Sequence, residues 1–148
     1  MLRISQKRRW HNMIFDYELM FVDDKNGTQK DISSGVLGTA IDLSGDGQGK
    51  GKPGLIAIAF SSDTTATTDP DIQFALETSD NKDFTGSATF PFLLKTPLKK
   101  ADLAEGTVLT SPLPLHGLKR FVRLKIGADA PITCMGIKAG FVLDAPLN

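Results

Sequence analysis

The sequence predicts an all-β protein: a single-domain, jelly-roll-like β-sandwich of about eight antiparallel strands with an extended N-terminal arm. Three observations predict this fold. Short runs of alternating apolar and polar residues recur along the chain, turn-forming residues separate them, and no stretch indicates a helix of more than one turn. The length of 148 residues is that of one domain. A chain of this size buries roughly 70% of its unfolded surface, so it needs no disulfide.

The clearest alternation is at the end of the chain. Three aliphatic residues alternate with other residues in Arg120–Ile126, and apolar or small residues alternate in Ile132–Asp144. Gly127–Pro131 between them contains Gly, Ala, Asp and Pro, a composition that favours a turn. We therefore expect a long C-terminal hairpin with one apolar face, which a second sheet must cover.

Six further runs have the length and composition of strands. Leu55–Phe60 is apolar on both faces, which indicates a central strand. Pro91 marks an edge strand or a bulge, because proline cannot donate a ladder hydrogen bond. Ala101–Glu105 is long enough for one helical turn at most. The predicted strands before the C-terminal pair are Phe15–Val22, Gly35–Leu43, Leu55–Phe60, Asp71–Ser79, Thr89–Lys95 and Thr107–Leu115.

The charge is unevenly distributed and divides the chain into residues 1–12, a basic arm, and residues 13–148, the β-sandwich domain. Four of the 17 basic residues and none of the 17 acidic residues lie in the arm, which gives it a charge of +4. The remaining 13 basic and 17 acidic residues give the domain a charge of −4. Because the body is acidic, we expect no nucleic-acid partner.

The arm has two interpretations. It is either a disordered leader, with Met13 as the ancestral start, or a segment that docks on a neighbour with Trp10 as its anchor. We favour the docked arm. No apolar run approaches the roughly 20 residues of a membrane-spanning helix, so we also expect no membrane partner.

The residues that carry chemistry are sparse. The one cysteine, Cys134, excludes an internal disulfide and indicates a packed residue in a chain that matures in a reducing cytoplasm. His11 and His116 lack the ligand spacing of a zinc site. Ser44–Gly54 contains G-x-G-x-x-G, but a strand and not a helix follows it, which argues against a phosphate site. We expect no cofactor, no metal and no enzymatic activity, although a small hydrolase with a cluster around His116 stays open as a third interpretation.

Four segments resemble the capsid cement proteins of short-tailed bacteriophages. They are Met13–Asp16 (MIFD), Ala75–Phe84 (ALETSDNKDF), Arg120–Ile126 (RFVRLKI) and Gly136–Asp144 (GIKAGFVLD). The resemblance covers about residues 13–144 and depends mainly on the order and spacing of these strand patterns. The basic arm and the long glycine-rich loop depart from the family pattern.

The resemblance implies a jelly-roll-like decoration protein on the outer surface of an icosahedral phage head. Such a protein bridges subunits of the major capsid protein, binds as a homodimer or homotrimer, and has no catalytic site or cofactor. It would be made in the cytoplasm of the bacterial host and be located in the virion. The residues expected to contact the capsid or a neighbouring protomer are Lys7, Arg8, Arg9, Trp10, Phe15, Tyr17, Lys50 and Lys52.

The alternative function is a carbohydrate-binding β-sandwich, such as a phage adhesion module. Sugar-binding sandwiches stack sugar rings on exposed Trp or Tyr side chains. Only Trp10 and Tyr17 are available in this chain for that purpose. The scarcity of such residues favours the cement interpretation.

Overall fold

A computed structural model describes residues 3–5, 15–23, 27–43, 53–91, 98–112 and 118–143. At positions 3–5, 15–18, 53–54 and 143 it describes the backbone alone. In these ranges the chain is an all-β sandwich of two antiparallel sheets. A 3₁₀ helix, Lys100–Leu103, accounts for the single helical turn predicted near it. The strands are β1 (Arg3–Ser5), β2 (Phe15–Val22), β3 (Gln29–Asp42), β4 (Pro53–Phe60), β5 (Ile72–Ser79), β6 (Ala88–Pro91), β7 (Val108–Pro112), β8 (Phe121–Cys134) and β9 (Ile137–Leu143).

The pairing of the strands is nested. Strand β5 pairs with β6, β4 with β7, β3 with β8 and β2 with β9, all antiparallel. Two further pairings, β4 with β9 and β5 with β8, join these pairs into sheets. The five-stranded sheet has the order β1-β7-β4-β9-β2, and the four-stranded sheet has the order β3-β8-β5-β6.

The core lies between the inner faces of the two sheets. In the first half of β8, for example, the buried residues Val122, Leu124 and Ile126 alternate with more exposed ones, as the period of two requires. Phe21 of β2 and Phe141 of β9 pack with ring centroids 5.6 Å apart in a tilted arrangement. The largest fully buried side chains are Phe21, Phe60, Phe141, Leu37, Ile56, Ile58, Ile72, Leu76, Leu98, Leu103, Leu109 and Leu124.

Strand β4 is buried on both faces, which confirms the prediction of a central strand. It lies between β7 and β9, and every residue of Ile56–Phe60 is buried. Its outward residues Ala57 and Ala59 form a second, smaller apolar cluster with Val108 and Val142. The prediction for Pro91 is also confirmed, because Pro91 is the last residue of the edge strand β6.

The predicted C-terminal hairpin is wrong. Strand β8 runs through Gly127–Pro131 to Cys134, and β8 and β9 belong to different sheets. Neighbouring strands hold the two ends of this segment, because Gly127 pairs with Ser34 of β3 and with Gln73 of β5, and β3 pairs again at Ile132 after a change of register. Pairing at the ends of Gly127–Pro131 therefore overrides its local turn preference.

The change of sheet takes place at Gly136 instead. This residue has φ +60°, and its carbonyl accepts hydrogen bonds from the backbone N–H and the hydroxyl of Ser61, at 2.9 and 2.8 Å. A Cβ at position 136 would lie 1.9 Å from the Ser61 hydroxyl oxygen. Glycine supplies both the positive φ and the close approach that this turn requires.

The start of β3 also differs from the prediction. Strand β3 begins at Gln29 and not at Gly35, because β8 supports its polar first half. Strand β6 is described over Ala88–Pro91, and the remainder of the predicted strand, residues 92–95, lies outside the described residues.

Part of the predicted arm belongs to the sandwich. Arg3–Ser5 form β1, which pairs with Val108–Thr110 of β7 and extends the five-stranded sheet by one strand. The described residues contain no helix with the length and apolar character that spanning a bilayer requires.

Candidate interaction surface

The predicted contact residues fall largely outside what the structure describes. Six of the eight lie outside the described residues, and so do His11 and His116. Phe15 and Tyr17 lie in β2, where the structure describes the backbone alone. The predicted contacts through Lys7, Arg8, Arg9, Trp10, Phe15, Tyr17, Lys50 and Lys52 therefore remain predictions.

Two observations concern the residue types that most often carry chemistry. Across the described ranges, no three His, Cys, Asp or Glu side chains form a group that could hold a metal ion. Cys134 is fully buried in β8, as its strand pattern predicted. Burial raises the pKa of its thiol, against the opposing effect of the hydrogen bond from Thr64 to the sulfur. A thiol with a raised pKa is a poor nucleophile at neutral pH.

The outer face of the four-stranded sheet carries an ordered cluster of polar and aromatic side chains. Arg123 of β8 donates to Glu77 Oε1 of β5, and Ser87 donates to Glu77 Oε2 over 2.7 Å. The guanidinium of Arg123 also lies over the ring of Phe84, 4.0 Å from its centroid. Arg123 thus joins a buried carboxylate to an aromatic ring from the loop between β5 and β6.

Burial and ion pairing act in opposite directions on Glu77, which is 8% exposed. Desolvation by burial raises its pKa. The hydrogen bonds from Arg123 and Ser87, with the positive charges of Arg123 and Lys125, lower it more. The net result is a pKa below the ordinary value of 4.5. Glu77 is therefore ionised at neutral pH and holds Arg123 in place.

The loop between β5 and β6 has a fixed shape because its own side chains hydrogen-bond its backbone. Ser79 and Asn81 both donate to the carbonyl of Thr85, at 2.8 and 3.0 Å. Asp83 accepts from the backbone N–H and the hydroxyl of Thr85. Phe84 adopts φ +61°, a left-handed conformation, and is buried against the sheet. The loop therefore presents a preformed edge beside the outer face.

A second ion pair lies further along the same face. Arg120 binds both carboxylate oxygens of Asp42, with Nε and Nη2 at 3.0 and 2.9 Å. The Arg120 guanidinium also lies 4.9 Å from the ring centroid of Phe121. Both side chains of this ion pair are about half exposed, so we assign the pair an orienting role and little net stability.

A solvent-open groove of about 520 Å³ crosses the other end of this outer face, where β3, β8 and β5 run side by side. Gly127 lies at its centre, between Ser34 and Gln73 in the sheet register. Its volume is within the roughly 300–1,000 Å³ that ligand pockets occupy. The lining residues are Ser33, Ser34, Asp71, Gln73, Gly127, Ala128 and Asp129.

The polar groups of the groove are mostly unpaired. In the part of the chain that the structure describes, no hydrogen bond or salt bridge engages the side chains of Ser33, Ser34, Gln73 and Asp129. Asp71 forms an ion pair with Lys99, whose ammonium also donates to the carbonyl of Asp69. The hydrogen bond with Asp71 raises the pKa of Lys99. The groove can accept hydrogen bonds from a ligand and has a surplus of negative charge.

We did not predict this groove from the sequence. Its lining comes from three strands that are distant in the chain, and we predicted Gly127 to lie in a turn. Comparison of the chain with protein-family models and with curated proteins finds no match.

Proposed function

We propose that this protein is a capsid cement protein, which binds the outer surface of an icosahedral phage head and bridges subunits of the major capsid protein. In this proposal the chain acts as a homodimer or homotrimer and has no catalytic role. Its location is the virion, after synthesis in the bacterial cytoplasm.

One observation carries the proposal: the four segments that resemble the cement family pair with one another in space. Phe15, from the first segment, pairs with Val142 in the last, which forms β9. Glu77 of the second segment pairs with Arg123 of the third, and Phe84 packs on that same arginine. The four segments that carry the resemblance therefore form two pairs of neighbouring strands, the first with the last and the second with the third.

We also propose that the sandwich is a jelly roll. A jelly roll forms when one long antiparallel hairpin of eight strands wraps into two sheets. The nested pairing, from β5 with β6 at the closed end to β2 with β9 at the open end, has this form. Strand β1 is an addition at the edge of β7.

The physical role of a cement protein suits this architecture. A shell under internal pressure opens at contacts between subunits, so a rigid clip across such a contact adds interface that must break first. Each clip contact can be weak, because linked contacts on a lattice gain avidity. The ordered loop around Phe84 and the ion-paired outer face supply preformed surfaces for such contacts.

The basic arm provides a test of how the clip attaches. Deleting residues 1–12 would also remove β1, so we prefer the triple variant Lys7→Gln, Arg8→Gln, Arg9→Gln, which leaves Arg3–Ser5 intact. If these charges contact acidic patches on the shell, the affinity of the triple variant for heads is expected to fall about tenfold. That loss corresponds to the summed free energies of three exposed ion pairs. The measurement is occupancy on purified heads as a function of added protein. The matched control is Lys50→Gln with Lys52→Gln, and undiminished occupancy of the triple variant would exclude the arm contact.

A further inference from the structure

We propose that the groove around Gly127 is a binding site for a basic polypeptide segment, and that its occupant is the basic arm of a second copy of this chain. The groove lies on the outer face of the four-stranded sheet, between β3 and β5. The proposal adds a contact between copies of the protein. It does not depend on the capsid proposal.

Gly127 lies beside a change of register between β3 and β8, which falls between its partner Ser34 and Ile32. It lies in the interior of a 14-residue strand, where glycine is unfavourable. Its φ is not in the left-handed region, and a Cβ placed on it would meet nothing within 4 Å. Glycine in a strand is typical of such a register change, and here it also leaves the backbone open to the close approach of another molecule.

The lining of the groove has more hydrogen-bond acceptors than positively charged donors. Two carboxylates, Asp71 and Asp129, and the amide oxygen of Gln73 can accept hydrogen bonds. The one cation beside them, Lys99, forms an ion pair with Asp71 and also interacts with the charge of Asp129, so it cannot neutralise both carboxylates. Guanidinium and ammonium groups are donors only, so arginine and lysine side chains match this excess of acceptors. The described lining residues include no aromatic side chain, so they offer a sugar ring no stacking platform.

The chain itself contains a basic segment that could occupy the groove. Residues 1–12 carry +4 and the rest of the chain carries −4, so two copies have complementary regions. The same copy is a poor source, because residues 6–14 are tethered at both ends to the five-stranded sheet, through Ser5 and Phe15. The groove is on the outside of the opposite sheet, beyond a sheet spacing of about 10 Å. A second copy has no such constraint.

The test uses the full-length chain and a fluorescent peptide of residues 6–12, which omits the β1 residues and carries Lys7, Arg8 and Arg9. Titration at low salt, about 50 mM, is expected to show saturable binding that weakens as salt screens the charges. Gly127→Val fills the groove and is expected to abolish saturable binding. Asp129→Lys is expected to weaken binding by about fivefold or more.

Controls separate this result from misfolding and from general charge attraction. Asp80→Lys makes the same charge change in an exposed turn away from the groove and should leave binding unchanged. Gly127→Val should keep the wild-type unfolding midpoint or raise it, since its Cβ meets open space. Equal peptide binding by wild type and Gly127→Val would overturn the proposal, and so would binding of a neutral oligosaccharide in place of the peptide. The assay contains no capsid protein, so either outcome leaves the cement proposal unaffected.

Discussion

Replacing Gly38 with alanine is expected to be among the most destabilising single changes in this chain, costing about 3–5 kcal/mol of the free energy of unfolding. Gly38 lies in β3 with φ +73°, a conformation that strains any residue with a Cβ. A Cβ there would lie 2.0 Å from the carbonyl oxygen of Phe21, which belongs to β2 in the other sheet. Because the obstruction is backbone, the two edge strands would have to separate. Urea unfolding measures the loss.

The matched control for this change is Gly127→Ala. Gly127 is also a strand glycine, but it has no left-handed φ and no atom within 4 Å of the added Cβ. Alanine there is expected to be neutral or to stabilise by about 0.5–1 kcal/mol, because it restricts the unfolded chain. Equal losses for the two variants would contradict the close approach of β2 and β3 at Gly38.

Replacing Arg123 with alanine is expected to cost about 2–4 kcal/mol at pH 7, because it leaves the buried carboxylate of Glu77 without its cation. It also removes the group that packs on Phe84. The control is Lys125→Ala, which removes the next outward cation on the same strand and should cost well under half as much. Both values come from urea unfolding, and similar losses for the two variants would argue against the Glu77 ion pair.

The cost of Arg123→Ala should also depend on pH. The folded-state pKa of Glu77 lies below its ordinary value of 4.5. The stabilisation is therefore complete above that value and is lost as the pH falls through the folded-state pKa. The difference in unfolding free energy between wild type and Arg123→Ala should accordingly narrow below pH 4.5. A difference that stays constant from pH 7 down to acid unfolding would show that packing on Phe84, and not charge, accounts for the effect.

Most strands of this fold were predictable from local sequence, because apolar and polar residues alternate along them. The central position of β4 followed from its apolar residues on both faces, and the edge position of β6 followed from Pro91. The path of β8 through Gly127–Pro131 was not predictable in this way. Strands from distant parts of the chain pair with its two ends, β3 and β5 at Gly127 and β3 again at Ile132.

The same limitation applies to the candidate surface. The Arg123 cluster joins Glu77, Phe84 and Ser87, and the β5–β8 register that brings them together depends on the whole fold. The groove is likewise a product of three strands. Its one local signal was Gly127, a glycine between apolar strand residues. We interpreted this glycine as part of a turn because of the turn-forming residues that follow it. The pairing of β8 with β3 and β5 places Gly127 in the lining of the groove.

We propose that this protein binds the outside of a phage head. Co-sedimentation of the full-length protein with expanded heads of a short-tailed bacteriophage, stripped of their own decoration, tests this proposal. We predict saturable binding at a fixed ratio to the major capsid protein. Failure of the folded protein to sediment with intact heads, at concentrations well above those needed for lattice avidity, would contradict the claim.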